Sequence, residues 1–189
     1  MQAAALSGGF SDPSTDGARA FRAVMQAMAR PGRIERLAGA APPAPMSVAA
    51  GVVALTLCDP DTPVCLAGAL DCAAVRGWLA FHTGAPVVGR QAAVFAFGEW
   101  QALMPLDGYA MGTSEYPDRS ATLIVELARL EAAGAQLSGP GIDGVSALSL
   151  PEVAAFQANA ARFPLGLDFI FCCGERLAAL PRSTRVEAG

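Results

Sequence analysis

The sequence predicts an α/β fold of three layers, a mixed sheet held between helical layers, and three observations carry that prediction. Helix-like and strand-like runs alternate over the first half of the chain. Short apolar runs follow one another over the second half and pair as strands. Apolar residues make up 53% of 189 residues, enough for one well-buried core and too short a chain for two ordinary domains. Residues 1–189 are therefore read as a single domain, with 1–15 as a loosely ordered terminus.

Taken in order, Asp16 is placed to cap a helix running through Met28. Ala18, Phe21, Val24, Met25 and Met28 fall on one face of it and Arg19 and Arg22 on another. Arg30-Pro31-Gly32 stops it. Arg33 to Leu37 is a weak strand, and the stretch from Gly39 to Pro45 is a loop. Met46 to Cys58 is helical and apolar nearly all round, which places it in the interior or against a partner. After the turn at Asp59 to Pro63, Val64 to Ala67 forms a short strand. Asp71 then caps a helix reaching Phe81, closed by Gly84.

Ala93 to Phe97 is a buried strand, followed by a short helical piece between Trp100 and Leu106. The β-branched Thr122, Ile124 and Val125 favour a strand over Thr122 to Leu130. Gln136 to Ser138, ahead of Gly139-Pro140-Gly141, is its expected hairpin partner. Pro151 to Arg162 is a helix with proline in its first turn and Glu152 complementing the dipole. Leu167 to Cys172 is a buried strand carrying one acid, Asp168, and Leu177 to Leu180 is a last strand before an arginine-bearing tail.

Composition excludes several classes of function. The net charge of -4 argues against nucleic acid as a main ligand. The apolar runs around Val48 to Leu57 and Phe163 to Cys173 are interrupted well short of a bilayer span, and residues 1–10 lack the basic start of a signal peptide, so a cytoplasmic protein is expected. A mean hydropathy of +0.38 exceeds ordinary soluble usage and favours an oligomer. The cysteines at 58, 65, 72, 172 and 173 contain no C-x-x-C pair and are read as small buried hydrophobes.

All thirteen basic residues are arginine, so no internal lysine is available for a Schiff base. Pyridoxal phosphate in its usual covalent linkage is thereby excluded, and no cofactor is expected. His82 is the only histidine, which rules out a histidine-rich metal site, and it is read as a structural group at a helix C-terminus. No G-x-S-x-G elbow, P-loop or G-x-G-x-x-G occurs.

What remains is the polar run from Gly112 to Thr122, which places Glu115, Tyr116, Asp118 and Arg119 at the edge of an apolar strand. Loops of this composition are common connectors, and the same groups form recognition edges. Together with Arg30 and Arg182 they are the candidate ligand or subunit contacts. No catalytic residue and no metal ligand is assigned.

Five stretches then point to one family: FR…MARPG from Phe21 to Gly32, GTSEYPDRSATLI from Gly112 to Ile124, LSGPGI from Leu137 to Ile142, FPLGLD from Phe163 to Asp168, and LPRSTR from Leu180 to Arg185. In collinear order across nearly the whole chain they resemble PhnH, a subunit of the bacterial carbon-phosphorus lyase system. The resemblance implies a fold similar to pyridoxal-phosphate-dependent transferases without the cofactor, and a homodimer that joins PhnG, PhnI and PhnJ in a core complex. It also implies a role in forming ribose 1-methylphosphonate 5-triphosphate from ATP and methylphosphonate, with no catalytic residue assigned to this subunit. The rival expectation is a small-molecule enzyme or sensor that binds a phosphonate or nucleotide in an arginine-lined pocket.

Overall fold

Apolar runs too short for helices become the parallel heart of a sheet in the computed structural model, which describes residues 6–189. The strands are β1 (Glu35–Arg36), β2 (Val64–Leu66), β3 (Phe95–Glu99), β4 (Thr122–Glu126), β5 (Ala135–Ser138), β6 (Ser146–Leu148), β7 (Asp168–Cys173), β8 (Arg176–Leu180) and β9 (Arg185–Glu187). Six of them form one sheet in the order β1-β8-β7-β4-β3-β2. Its centre is parallel, with β3 beside β2 and β4, and β7 beside β4, while β8 and β1 add an antiparallel edge. The fold is thus α/β with a mixed sheet, as expected. The central strands are apolar on both faces because both faces are covered.

One face carries the long helices α1 (Pro13–Ala29), α2 (Val48–Leu57) and α3 (Ala73–His82). Leu66, Phe97, Ile124, Ile170 and Cys172 point into that layer and meet Val24, Val53, Trp78 and Leu79. α2 has six consecutive buried residues from Ala49 to Ala54, so its all-round apolarity reflects a position between α1 and the sheet. Its start is held twice: the Ser47 hydroxyl accepts from the Ala50 amide at 3.1 Å, and the Ser47 amide donates to Glu126 Oε1 at 2.7 Å. Burial pushes the Glu126 carboxyl above its ordinary value, and the Ser47 bond opposes that rise.

The other face differs from the expected helical layer. It is covered by the short helices α4 (Trp100–Leu103) and α5 (Val153–Ala160) and by the three-stranded sheet β6-β5-β9. Trp100, Phe156, Phe169 and Phe171 pack there, with ring centroids 4.8 Å apart for Trp100 and Phe156 and 4.9 Å for Phe156 and Phe169. The Trp100 indole N–H reaches the Glu152 carboxylate at 3.1 Å, so Glu152 ties two elements together beyond any dipole effect.

Four expectations need correction. β5 does not pair with β4; it lies between β6 and β9, because the chain turns away after Glu126 instead of continuing as a strand to Leu130. Asp12, not Asp16, caps α1 by accepting from the Thr15 amide, and Asp16 instead bonds the Ser11 hydroxyl and the Asp12 amide. Cys72 occupies the N-cap of α3, while Asp71 pairs with Arg76 at 2.5 Å. Of the terminus expected to be loose, residues 1–5 lie outside the described residues. Beyond them Trp78 Nε1 donates to Ser7 O at 3.0 Å, Ala41 N to Gly8 O at 2.8 Å, and Pro13 to Thr15 already belong to α1.

Candidate functional site

The same five stretches meet in one place, a cleft of about 550 Å³ at the amino ends of β4 and β7. Each contributes to its wall: α1 through Met28, the polar run through Asp118, then Pro140, Phe163 and Arg182. Open α/β sheets take nucleotides and substrates outside the carboxyl ends of their strands. Here that opposite edge is occupied by Glu126 and the capped start of α2.

Arg182 organises the cleft. Asp168, the acid at the head of β7, accepts from the Arg182 amide at 2.8 Å, from Nε at 3.2 Å and from Nη2 at 2.5 Å. Nη1 donates to the Pro117 carbonyl at 2.5 Å. One guanidinium therefore joins the start of β7, the turn Pro117–Arg119 and the segment that follows β8. Side-chain exposures of 13% for Arg182 and 16% for Asp168 make this a nearly buried pair whose charges cancel.

Close backbone approach fixes the other walls. Gly141 has φ +81° and an added Cβ would strike the Ala29 carbonyl, while Gly112 has φ +79° with Pro117 against it. Only glycine suits both requirements. Asn159 in α5 sets the path into β7, accepting from the Leu167 amide at 2.8 Å and donating to the Leu167 carbonyl at 2.9 Å.

The predicted contact residues are only partly brought together. Asp118 and Arg182 line the cleft. Arg30 is exposed at the end of α1, one residue beyond the lining. Arg119 lies 4.0 Å from the centroid of the exposed Tyr116 ring, a cation–π pair on the outer side of the loop. Glu115 is exposed, and among the described residues none of Glu115, Asp118 and Arg119 enters a salt bridge.

Asp168, Met28 and Phe163 stand outside the contact residues predicted from the sequence. Asp168 had a readable signal: a lone acid heading an apolar strand requires a cation, and the arginine-bearing tail supplies it.

Chemically the cleft offers a neutralised guanidinium, one exposed carboxylate and apolar walls, a surface suited to receiving a side chain. His82 lies elsewhere, its Nε2 3.2 Å from Ser7 O and its ring against Trp78 and Phe81. Burial pushes the Cys58 thiol up to about 12 and Cys172 well above its usual range, so neither is a nucleophile at neutral pH. Among the described residues no group of three histidine, cysteine or acidic side chains could hold a metal ion, and no helix is long and apolar enough to cross a membrane.

A family model for the bacterial phosphonate metabolism protein PhnH matches residues 8–187. The chain is 45% identical to the α-D-ribose 1-methylphosphonate 5-triphosphate synthase subunit PhnH of Rhizobium meliloti (strain 1021), over 98% of each chain. It is 30% identical to HtxG of Stutzerimonas stutzeri, provisionally named a C-P lyase subunit protein, over 89% of this chain and 84% of that one.

Proposed function

The chain belongs to the PhnH family of bacterial phosphonate metabolism proteins, and from that premise we propose that it is an accessory subunit of the assembly that forms ribose 1-methylphosphonate 5-triphosphate. The observation that carries this reading is the end-to-end match, at 45% identity, to a subunit of that synthase. The chain supplies binding surface, and the transfer of methylphosphonate to the ribose of ATP takes place on its partners.

The cleft supports that division of labour. It gathers the family's five stretches, yet its arginine is already neutralised by Asp168 and its walls are apolar. The rival reading, a phosphonate or nucleotide pocket, needs a free cation in the cleft, and the one arginine of its lining is already paired with Asp168.

On this reading the partners are PhnG, PhnI and PhnJ, the chain pairs as a homodimer, and the assembly works in the cytoplasm, where ATP is available. On the family resemblance the fold is likened to that of pyridoxal-phosphate-dependent transferases. With no lysine in the chain, the subunit works without that cofactor.

Co-expression with the three partner subunits tests the proposal. The chain is expected to co-purify with them in fixed ratio, and recovery of a complete, active assembly without it would refute the role. Calorimetry of the isolated chain against ATP and methylphosphonate is expected to give no heat; saturable heat with either would revive the pocket reading.

A further inference from the structure

α1 carries two apolar stripes, and the fold fully buries only one, although Met28 at the end of the other packs partly on the core. Ala20, Val24 and Ala27 are buried against the core. On another side Ala18, Phe21, Met25 and Met28 recur with spacings of three, four and three, the a/d pattern by which one helix receives another. Phe21 and Met25 are each 50% exposed, and Ala18 is exposed beside them. The seam ends at Met28, which is also a wall of the cleft, and the apolar surface continues across it to Phe163, 61% exposed. The eleven residues of helix from Ala18 to Met28 give a track of about 15 Å, the length of some three turns.

The charges beside the seam decide what lies on it. Arg22 follows Phe21 on the flank, Arg19 lies farther round the same side, and Arg30 is the cap at the helix end. All three are exposed and none forms a salt bridge among the described residues. The one acid within α1, Asp16, is already engaged by Ser11 and Asp12. Arg19 also feels the N-cap carboxylate of Asp12, so the unpaired positive charge beside the seam rests on Arg22, with Arg30 at its end, on a chain whose net charge is -4.

A second copy of this chain would not relieve it. With the two-fold axis across the helices two α1 copies run antiparallel and the Arg22 flank meets its own equivalent, Arg22 and Ala29; with the axis along them they run parallel and it meets the opposite flank, Gly17 and Val24; neither flank holds an acid.

We propose that the seam of α1 receives an amphipathic helix from another subunit of the assembly, with apolar residues at a and d spacing and glutamate or aspartate along the flank that meets Arg22, and that the end of this helix places an apolar side chain in the cleft beside Phe163. This rests on the accessory-subunit reading above and identifies the face through which that role is exerted. Like charges against a second copy and opposite charges against the partner give the seam its selectivity.

The test uses the full chain and its purified partner subunits, with wild type, Met25→Glu, Arg22→Glu and, as a control on a different exposed aromatic, Phe81→Glu. Circular dichroism confirms that each variant is folded. Met25→Glu is expected to weaken association at least tenfold, Arg22→Glu severalfold and more so at low salt, and Phe81→Glu not at all. A photoreactive benzoylphenylalanine at position 25 is expected to cross-link to a partner segment with the a/d and acidic pattern.

Wild-type affinity in both Met25→Glu and Arg22→Glu would overturn the inference while leaving the accessory role intact. So would a cross-link to a second copy, or to a segment without acids. Failure of the wild-type chain to associate at all would instead overturn the accessory role, and this inference with it.

Discussion

Replacing Arg182 with methionine leaves Asp168 nearly buried and charged, with two of its three donors gone and only the Arg182 backbone N–H remaining. Removing one partner of a fully buried pair costs about 3–5 kcal/mol, and the residual exposure with the surviving donor brings the expected loss here to about 2–3 kcal/mol. For a chain of this length that corresponds to a fall in Tm of about 4–12 °C.

Asp168→Asn in the wild type breaks the pair from the acid side and destabilises. In the Arg182→Met background it removes an uncompensated charge and is expected to recover about 1–2 kcal/mol. Urea unfolding followed by circular dichroism, with the slope m checked for constancy, measures all four members of the cycle. A loss below about 0.5 kcal/mol for Arg182→Met, or the same sign for Asp168→Asn in both backgrounds, would refute the claim that this pair organises the cleft.

The glycines make a contrasting pair: Gly141→Ala is expected to destabilise by about 2 kcal/mol because of its positive φ and the Ala29 carbonyl. Gly17→Ala, inside α1 with open space around it, is expected to stabilise by about 0.5–1 kcal/mol; thermal melts of both decide. Glu126 binds its proton more tightly folded than unfolded, so its contribution weakens stability as pH rises from the ordinary value of 4.5 through the higher folded value. Glu126→Gln keeps an acceptor for Ser47 and is therefore expected to gain stability over wild type at pH 8 relative to pH 4, read by denaturant midpoints at both. In a native thiol titration at pH 8, Cys72 and Cys173 are expected to react first, while Cys58 and Cys172 wait for unfolding.

The sequence revealed those elements whose signals are local. The apolar runs at β2, β3, β7 and β8 and the helices α1 to α3 follow from residue type and period, and their bounds shift by only a few residues. β5, β6 and β9 were illegible as a sheet because each is three or four residues long, and their pairing joins Gln136 to Glu187 across the chain. Asp12 and Asp16 are both plausible caps by residue type; which one meets a free amide depends on where Pro13 starts the helix.

At the site, the five stretches could be recognised, but their convergence could not. It depends on Arg182 reaching across the fold to the Pro117 carbonyl, 65 residues away in sequence. The exposed pair of Tyr116 and Arg119, prominent in the sequence for its charge, stands outside the cleft. The apolar Met28 and Phe163 inside it carried no chemical label.

The central claim is that this chain is indispensable to the synthase while carrying none of its chemistry. Its most direct test is product formation from ATP and methylphosphonate by an assembly prepared without the chain, followed by add-back of the purified chain. No product is expected before add-back and recovery after it, equally with wild type and with a Ser183→Ala, Asp118→Asn variant lacking the exposed carboxylate and the hydroxyl that line the cleft. Full product without the chain, or add-back that succeeds with wild type and fails with a folded, fully assembled variant, would contradict it.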